Sequence, residues 1–317
     1  MHSSQAAWFP RRILISHTLH EGLGEVLKGT RPDLEVRALD AADISATDVQ
    51  WADVFVGFRP PPQGPWQELR WIHCIGAGVD AFAFRTGLSP GTLLTRTSED
   101  FGPMIGEYCA ARALAVTQHL KRFTADQEAR LWKPQHPTTF RGTRAVVVGT
   151  GAVGRGIANA FQGLGGWVDG ISRSGTPQPP FTTVYPVSRF LEAVAGARWL
   201  ILACPLTEDT FHLVNRDRLL ACRRVYLMNV GRGALVDETA IPEALDSGAL
   251  VGCALDVFER EPPPPDSPLW NHPEVTISPH ISGLTTIPGA AEGFLTCLAE
   301  VEAGRRPALA VDPIRGY

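Results

Sequence analysis

Paired cysteines are missing from this chain. Its six cysteines, Cys74, Cys109, Cys204, Cys222, Cys253 and Cys297, stand singly, with no C-x-x-C. That spacing argues against a structural zinc site, leaves no metal to expect, and fits a reducing compartment. Most of the six fall in apolar runs and read as small core residues. Long apolar runs are missing too. No stretch approaches about 20 apolar residues, so no membrane span is expected. Ile13-Leu14-Ile15 behind Arg11-Arg12 is too short for a signal-peptide core. A basic excess is the third absence: 29 Lys and Arg stand against 33 Asp and Glu, a formal net charge of -4. No stripe for nucleic acid follows from that balance. The expectation is a cytoplasmic protein that holds a small anion by local groups. No internal repeat is visible.

What is present fits a soluble enzyme-sized chain. Its 317 residues are 44% hydrophobic and 20% charged, too long for one typical domain of roughly 100–200 residues. Residues 1–10 read as a loose leader. Strands are expected at Arg12–Ser16, Leu34–Leu39, Asp53–Gly57, Trp71–Ile75 and Thr92–Thr95, with a helix over His17–Lys28. Ile105–Phe123 has apolar residues three and four apart and reads as one long helix bridging into a second domain. Alternation then restarts with strands at Ala145–Val148, Trp167–Ile171, Trp199–Ala203, Val225–Asn229, Leu250–Asp256 and Val275–Ile277. Gly289–Ala303 is helical again and is expected to pack back on the first domain. The fold class is α/β, with two doubly wound parallel sheets. One is a Rossmann cofactor domain over residues 103–287; the other is a smaller flavodoxin-like substrate domain over 1–102 and 288–317.

The second domain opens on the stretch that organises the reading. The run Val146-Val147-Val148 leads into Gly149, Gly151 and Gly154 in G-x-G-x-x-G spacing, and Ala152 and Val153 start a helical pattern. Strand, tight turn and helix in that order make a dinucleotide site. Gly149 permits the turn, Gly151 lets backbone approach a pyrophosphate, and Gly154 lets the helix sit close to the strand. Free N–H groups at the helix start attract phosphate. The second strand ends in Ser172-Arg173-Ser174, where an NAD site would place an acid. Asp169 is acidic but mid-strand. An arginine between two hydroxyls suits a 2′-phosphate, so NADP(H) is preferred and NAD(H) is the weaker alternative.

Two more loops follow strands. Asn229-Val230-Gly231-Arg232-Gly233 offers a two-pronged guanidinium for a carboxylate or 2-oxo acid, with Gly231 and Gly233 expected to clear space around it. Asp256-Val257-Phe258-Glu259-Arg260-Glu261-Pro262 and Ser278-Pro279-His280-Ile281-Ser282-Gly283 supply an imidazole and carboxylates. A histidine with a carboxylate partner is the usual acid/base pair near neutral pH, but spacing does not choose between Glu259 and Glu261. Arg59 could reach a substrate, Trp132 and Met104 could line the site, and Ser98-Glu99-Asp100 reads as a solvated cap.

The combination G-x-G-x-x-G, N-V-G-R-G, D-V-F-x-x-E-P and S-P-H, in that order over roughly residues 70–290, resembles the D-2-hydroxyacid dehydrogenases. Leu131-Trp132-Lys133-Pro134, Ser172-Arg173-Ser174 and the terminal Arg315-Gly316-Tyr317 resemble its glyoxylate/hydroxypyruvate reductase branch. The resemblance implies that Arg232 binds the substrate carboxylate and carbonyl, His280 is the acid/base, and Glu261 rather than Glu259 orients it. It implies a nicotinamide contact from Asp256 and cofactor contacts from Cys204, Pro205, Thr207, Val230, Gly231 and Gly283. The backbone of Gly76, Ala77, Gly78 and Val79 is implied to hold the substrate carboxylate. A small 2-oxo acid entering between the domains, closure about hinges near 98–103 and 284–289, and a homodimer through the bridge-helix region complete the expectation. A nucleotide-sensing corepressor on the same fold, or a dehydrogenase of phosphite, formate or a larger D-2-hydroxy acid, is the alternative.

Overall fold

The computed structural model describes residues 8–84, 86–89, 91–97 and 101–312. Ser98-Glu99-Asp100 and Arg315-Gly316-Tyr317 lie outside the described residues, as does most of the expected leader. Strands among the described residues are β1 (Arg12–Ser16), β2 (Glu35–Ala38), β3 (Val54–Gly57), β4 (Trp71–Cys74), β5 (Leu93–Arg96), β6 (Arg144–Val148), β7 (Trp167–Ser172), β8 (Val184–Pro186), β9 (Trp199–Leu202), β10 (Val225–Asn229), β11 (Leu250–Leu255), β12 (Val275–Ile277) and β13 (Ala310–Val311). The chain divides into two compact units, one of residues 1–99 with 285–317 and one of residues 100–284.

The first unit carries a six-stranded sheet in the order β13-β5-β4-β3-β1-β2. Its parallel part runs 2-1-3-4-5, the flavodoxin-like order. Only β13 is antiparallel, a two-residue edge on β5 that the sequence reading lacked. Side chains alternate between faces along each strand. Ile13, Ile15, Val54 and Val56 pack on one face with Leu23, Phe294 and Leu298, while Leu14, Phe55 and Ile72 pack on the other with Phe82. Both faces are covered by helices, so the strands read as unbroken apolar runs. The helix Ile287–Glu302, from the far end of the chain, supplies Ala290, Phe294, Cys297 and Leu298 to this core.

The second unit carries a seven-stranded sheet in the order β12-β11-β10-β9-β6-β7-β8. Every pair in it is parallel. The order reverses at β6, and ligands in such sheets sit beyond the carboxyl ends of the strands at that switch. The three-residue β8 is an addition to the expected set; its Tyr185-Pro186 end gives little strand signal.

One expectation fails here. Ile105–Phe123 is not a single helix: one helix spans Phe101–Thr117, a second spans Leu120–Glu128, and His119 between them sits at φ 54. The Thr117 carbonyl accepts a 2.9 Å hydrogen bond from the N–H of Thr138 in the returning loop. An acceptor drawn off by a distant segment ends the i→i+4 ladder. The first of these helices lies against the helix Ala152–Gly163, backbone to backbone: a Cβ placed on Gly156 would fall 2.2 Å from the Gly102 carbonyl.

His73 in β4 is wholly buried, hydrogen-bonded through its two ring nitrogens to Thr95 and Thr97 at 2.8 and 3.2 Å, and edge-on to Phe294. Burial depresses its pKa from 6.5 to about 3. Below 6.5 the unfolded chain takes up a proton that the folded chain refuses until about 3, so stability is complete above that window and drains away as pH falls through it. Urea denaturation from pH 7 to 4 should therefore show a steeper loss in the wild type than in His73→Gln, and parallel curves would remove this role.

Candidate active site

Six loops at the carboxyl edge of the second sheet, after β6, β7, β9, β10, β11 and β12, carry the residues expected in that unit. After β6, Gly149 adopts φ +105, and a Cβ there would lie 2.7 Å from the Cys204 N, in the loop after β9. A Cβ on Gly154 would sit 1.9 Å from the Gly149 carbonyl, so the helix can start only this close to the strand without a side chain. Gly151, the N-cap, is different: a Cβ there meets nothing within 4 Å, and no side chain caps the helix. An open position over uncapped N–H groups of a twelve-residue helix, Ala152 and Val153 leading, fits a pyrophosphate.

The end of β7 carries the residues weighed for coenzyme choice. Asp169 is 7% exposed, pairs with Arg144 at 2.7 Å and accepts the Thr183 N–H at 3.0 Å. It braces neighbouring strands. Ser172 Oγ accepts the Gly175 N–H at 3.0 Å, and Ser174 Oγ lies 2.7 Å from Thr176 Oγ1, which shapes an exposed loop with Arg173 at its crest. No carboxylate stands in those three positions. Beyond β9, Thr210 Oγ1 donates to the Pro205 carbonyl and accepts the Thr207 N–H, both at 2.7 Å, which knits Cys204–Thr210 into one turn.

The Arg232 turn is built by Asn229, which is wholly buried at the end of β10. Its Oδ1 accepts the Gly231 N–H at 3.2 Å and its Nδ2 donates to the Arg232 carbonyl at 2.8 Å. An asparagine bonding two residues ahead is a turn device legible in sequence; Asn229 was quoted above without that role. Arg232 Nη1 donates to the Gly231 carbonyl at 2.8 Å. The expectation that Gly231 and Gly233 clear space for the guanidinium is corrected. A Cβ on Gly233 would lie 1.8 Å from the Phe258 carbonyl carbon, and one on Gly231 would lie 2.7 Å from Leu235 Cδ1. Gly233 is there for close backbone packing, and Gly231 faces the Leu235 side chain.

His280 sits at φ 54 in the left-handed region, where a non-glycine residue is held only by its surroundings. Its N–H donates to the Asp256 carbonyl at 2.8 Å. Asp256, 1% exposed, receives Ser278 Oγ at 2.6 Å, the Ile281 N–H at 3.0 Å and the Ser282 N–H at 2.8 Å on its carboxylate. Tyr108 extends the chain, its hydroxyl 2.6 Å from Ser278 Oγ. Held this way, His280 Nδ1 is 3.1 Å from each Glu261 oxygen. Glu259 turns elsewhere, to His212 Nε2 at 2.8 Å. Sequence spacing missed the roles of Ser278 and Tyr108. A buried acid at a strand end demands donors, and the nearest serine-rich loop was the available signal.

A Cβ on Gly283 would crowd Ile105 at 3.0 Å. Met104 Sδ accepts the Leu284 N–H at 3.2 Å, and Trp132 is 95% exposed. In the first unit, Arg59 follows β3 and is exposed. Gly76–Val79 follow β4, where Arg96 Nη1 donates to the Ala77 carbonyl at 2.8 Å and the Cys74 thiol to that of Gly78 at 3.2 Å. Cys74, Cys109, Cys222, Cys253 and Cys297 are buried, Cys204 partly so. Among the described residues, no helix is long and apolar enough to cross a membrane, and no three His, Cys, Asp or Glu side chains could share a metal ion.

Residues 110–282 match the D-isomer specific 2-hydroxyacid dehydrogenase, NAD binding domain. The chain belongs to that family. Glyoxylate/hydroxypyruvate reductase A of Yersinia enterocolitica is 30% identical over 280 residues, 85% of this chain and 89% of that one. Among solved structures, a family member from Xanthobacter autotrophicus in complex with NADPH and MES superposes with a TM-score of 0.84 at 29% identity, over 97% of this chain and 100% of that one. An NADPH-dependent glyoxylate/hydroxypyruvate reductase from Sinorhizobium meliloti, bound to NADP and sulfate, gives 0.83 at 25% identity over the same shares. The chain is thus an NAD(P)-dependent oxidoreductase of this family, with the two-sheet architecture expected of it.

The Asp256 network is testable by itself. Asp256→Ala would strand three donors in a buried loop and should cost on the order of 3 kcal/mol in urea denaturation. A loss under about 1 kcal/mol, typical of one exposed polar contact, would mean that the loop does not rely on it.

Proposed function

We propose that this enzyme uses NADPH to reduce small 2-oxo acids, glyoxylate and hydroxypyruvate among them, to 2-hydroxy acids, of D configuration where the product is chiral. The observation that carries the reading is the His280–Glu261 contact, 3.1 Å on both oxygens, on a loop whose partner strand segment abuts the Arg232 turn. The named activity of the Yersinia and Sinorhizobium relatives supports the substrate class. The NADPH complex of the Xanthobacter relative, the NADP complex of the Sinorhizobium one, and the acid-free Ser172-Arg173-Ser174 loop support the coenzyme.

The chain's own groups divide the work. Gly149, Gly151, Ala152, Val153 and Gly154 would hold the pyrophosphate, and Arg173 with Ser172 and Ser174 the 2′-phosphate. The loop Cys204-Pro205-Thr207, with Val230, Gly231 and Gly283, would complete the coenzyme contacts, and Asp256, only 1% exposed, would serve the carboxamide end by holding the 278–282 loop in place. The bound nicotinamide supplies a hydride to the carbonyl carbon. Glu261 on Nδ1 of His280 fixes the tautomer and stabilises the imidazolium, so Nε2 carries the proton given to the carbonyl oxygen. Arg232 holds the carboxylate with one prong and polarises the ketone with the other. Both cations meet charge that grows on the oxygen, so their effect is greatest in the transition state.

A homodimer through the region after the helix Phe101–Thr117 belongs to the same reading. Leu120, Leu131 and Trp132, 53%, 44% and 95% exposed, offer it apolar surface. Sedimentation of a monomer at assay concentration would remove it.

A panel of 2-oxo acids with NADPH and NADH side by side tests the activity. Arg232→Ala and His280→Ala should each lower kcat/KM by about 10²–10⁴ with the fold retained; full activity in either ends the assignment. Arg173→Asp should swing the preference toward NADH, since a carboxylate repels the 2′-phosphate. An unchanged coenzyme ratio would mean that another residue selects it.

A further inference from the structure

A second histidine–carboxylate pair has its acid two residues before the proposed orienting acid. Glu259 Oε1 lies 2.8 Å from His212 Nε2. The Glu259 N–H donates at 2.6 Å to Glu238 Oε1, and Glu238 follows the Arg232 turn by only a few residues. His212 adopts φ 47, and its own N–H donates at 2.7 Å to the Ala234 carbonyl inside that turn. Val214 beside it donates to the Leu235 carbonyl at 2.9 Å. The backbones meet directly as well, since Gly233 leaves room for Phe258 and Glu259. Three side chains from three loops thus tie the segment carrying Arg232 to the segment carrying Glu261.

We propose that His212, Glu238 and Glu259 are positioning residues that lock the Arg232 turn to the Glu261 loop and so set the spacing between the guanidinium and the His280–Glu261 pair. None of the three needs to touch the substrate. Exposed ion pairs contribute little to stability by themselves. Their value here is geometric, because hydrogen bonds to a backbone N–H and a backbone carbonyl place the two loops and not merely two side chains. Burial, with Glu259 and Glu261 adding to it, pushes the Glu238 carboxyl up to about 7. Charged or neutral, one of its oxygens still accepts the Glu259 N–H, so the tie depends on an acceptor and not on a charge. Displacing two reacting groups by about 1 Å costs up to about 10²-fold in rate, so modest slackening of this tie is visible in turnover.

The kinetic arm rests on the reductase reading; the exchange arm does not. Hydrogen exchange of the free protein, read by mass spectrometry, should show residues 232–235 and 258–261 opening about tenfold faster in His212→Ala, Glu238→Ala and Glu259→Ala. In the same variants kcat should fall about tenfold while KM for NADPH stays within about twofold. The double variant His212→Ala/Glu259→Ala should be no worse than either single change. Glu238→Gln and Glu259→Gln keep the acceptors and should restore both readouts. Wild-type exchange in the alanine variants overturns the proposal. So does faster exchange with unchanged kcat, which leaves a tie without a positioning role. If the wild type reduces no 2-oxo acid, the reductase reading fails, and exchange still decides whether the tie exists.

Discussion

A carboxylate that is 1% exposed must be met by donors or be expelled, and Asp256 is met three times over by one short loop. The loop is thereby wrapped around the acid, and His280 is left at a positive φ that it would not adopt unaided. From there the geometry follows. The ring is turned so that Nδ1 faces Glu261, and the Asp256 N–H, donated at 3.1 Å to the Asn229 carbonyl, joins this loop's base to the base of the Arg232 turn. Tyr108 and Ser278 extend the anchorage into the helix Phe101–Thr117, which presses on the helix of the glycine loop. Coenzyme loop, imidazole and guanidinium thus share one scaffold at the edge of one parallel sheet.

Acidic residues in this unit are sorted by what surrounds them. Asp169 neutralises Arg144 between strands, Asp256 organises a loop, Glu261 faces His280 and Glu259 faces His212. Four carboxylates of similar chemistry do four jobs because burial and partners differ. The coenzyme-side loop at Ser172-Arg173-Ser174 stands without an acid although one sits four residues before its centre: Asp169 is taken up in the strand layer by Arg144 and the Thr183 N–H.

Much of this was legible in the chain. Strands buried on both faces advertise themselves as apolar runs closed by a glycine turn, so β6 and β10 fall where the pattern places them. The Gly149–Gly154 spacing is legible because Gly149 and Gly154 answer a local demand of turn or contact. What escaped depends on partners far along the chain. The break at Thr117 is made by Thr138, and Glu259 is claimed by His212. Gly233 is needed because of Phe258, not because of its neighbour Arg232. The edge strands β8 and β13 are too short for a period to show.

The tail helix Ile287–Glu302 has a consequence for synthesis. Ile13, Ile15, Val54 and Val56 are made before residues 100–284, yet Phe294, Cys297 and Leu298, which cover them, are made after that segment. Residues 100–284 can close their own sheet during that interval. The unit begun first is therefore completed only after the other has been made, and its β-face stays bare until the helix Ile287–Glu302 has followed.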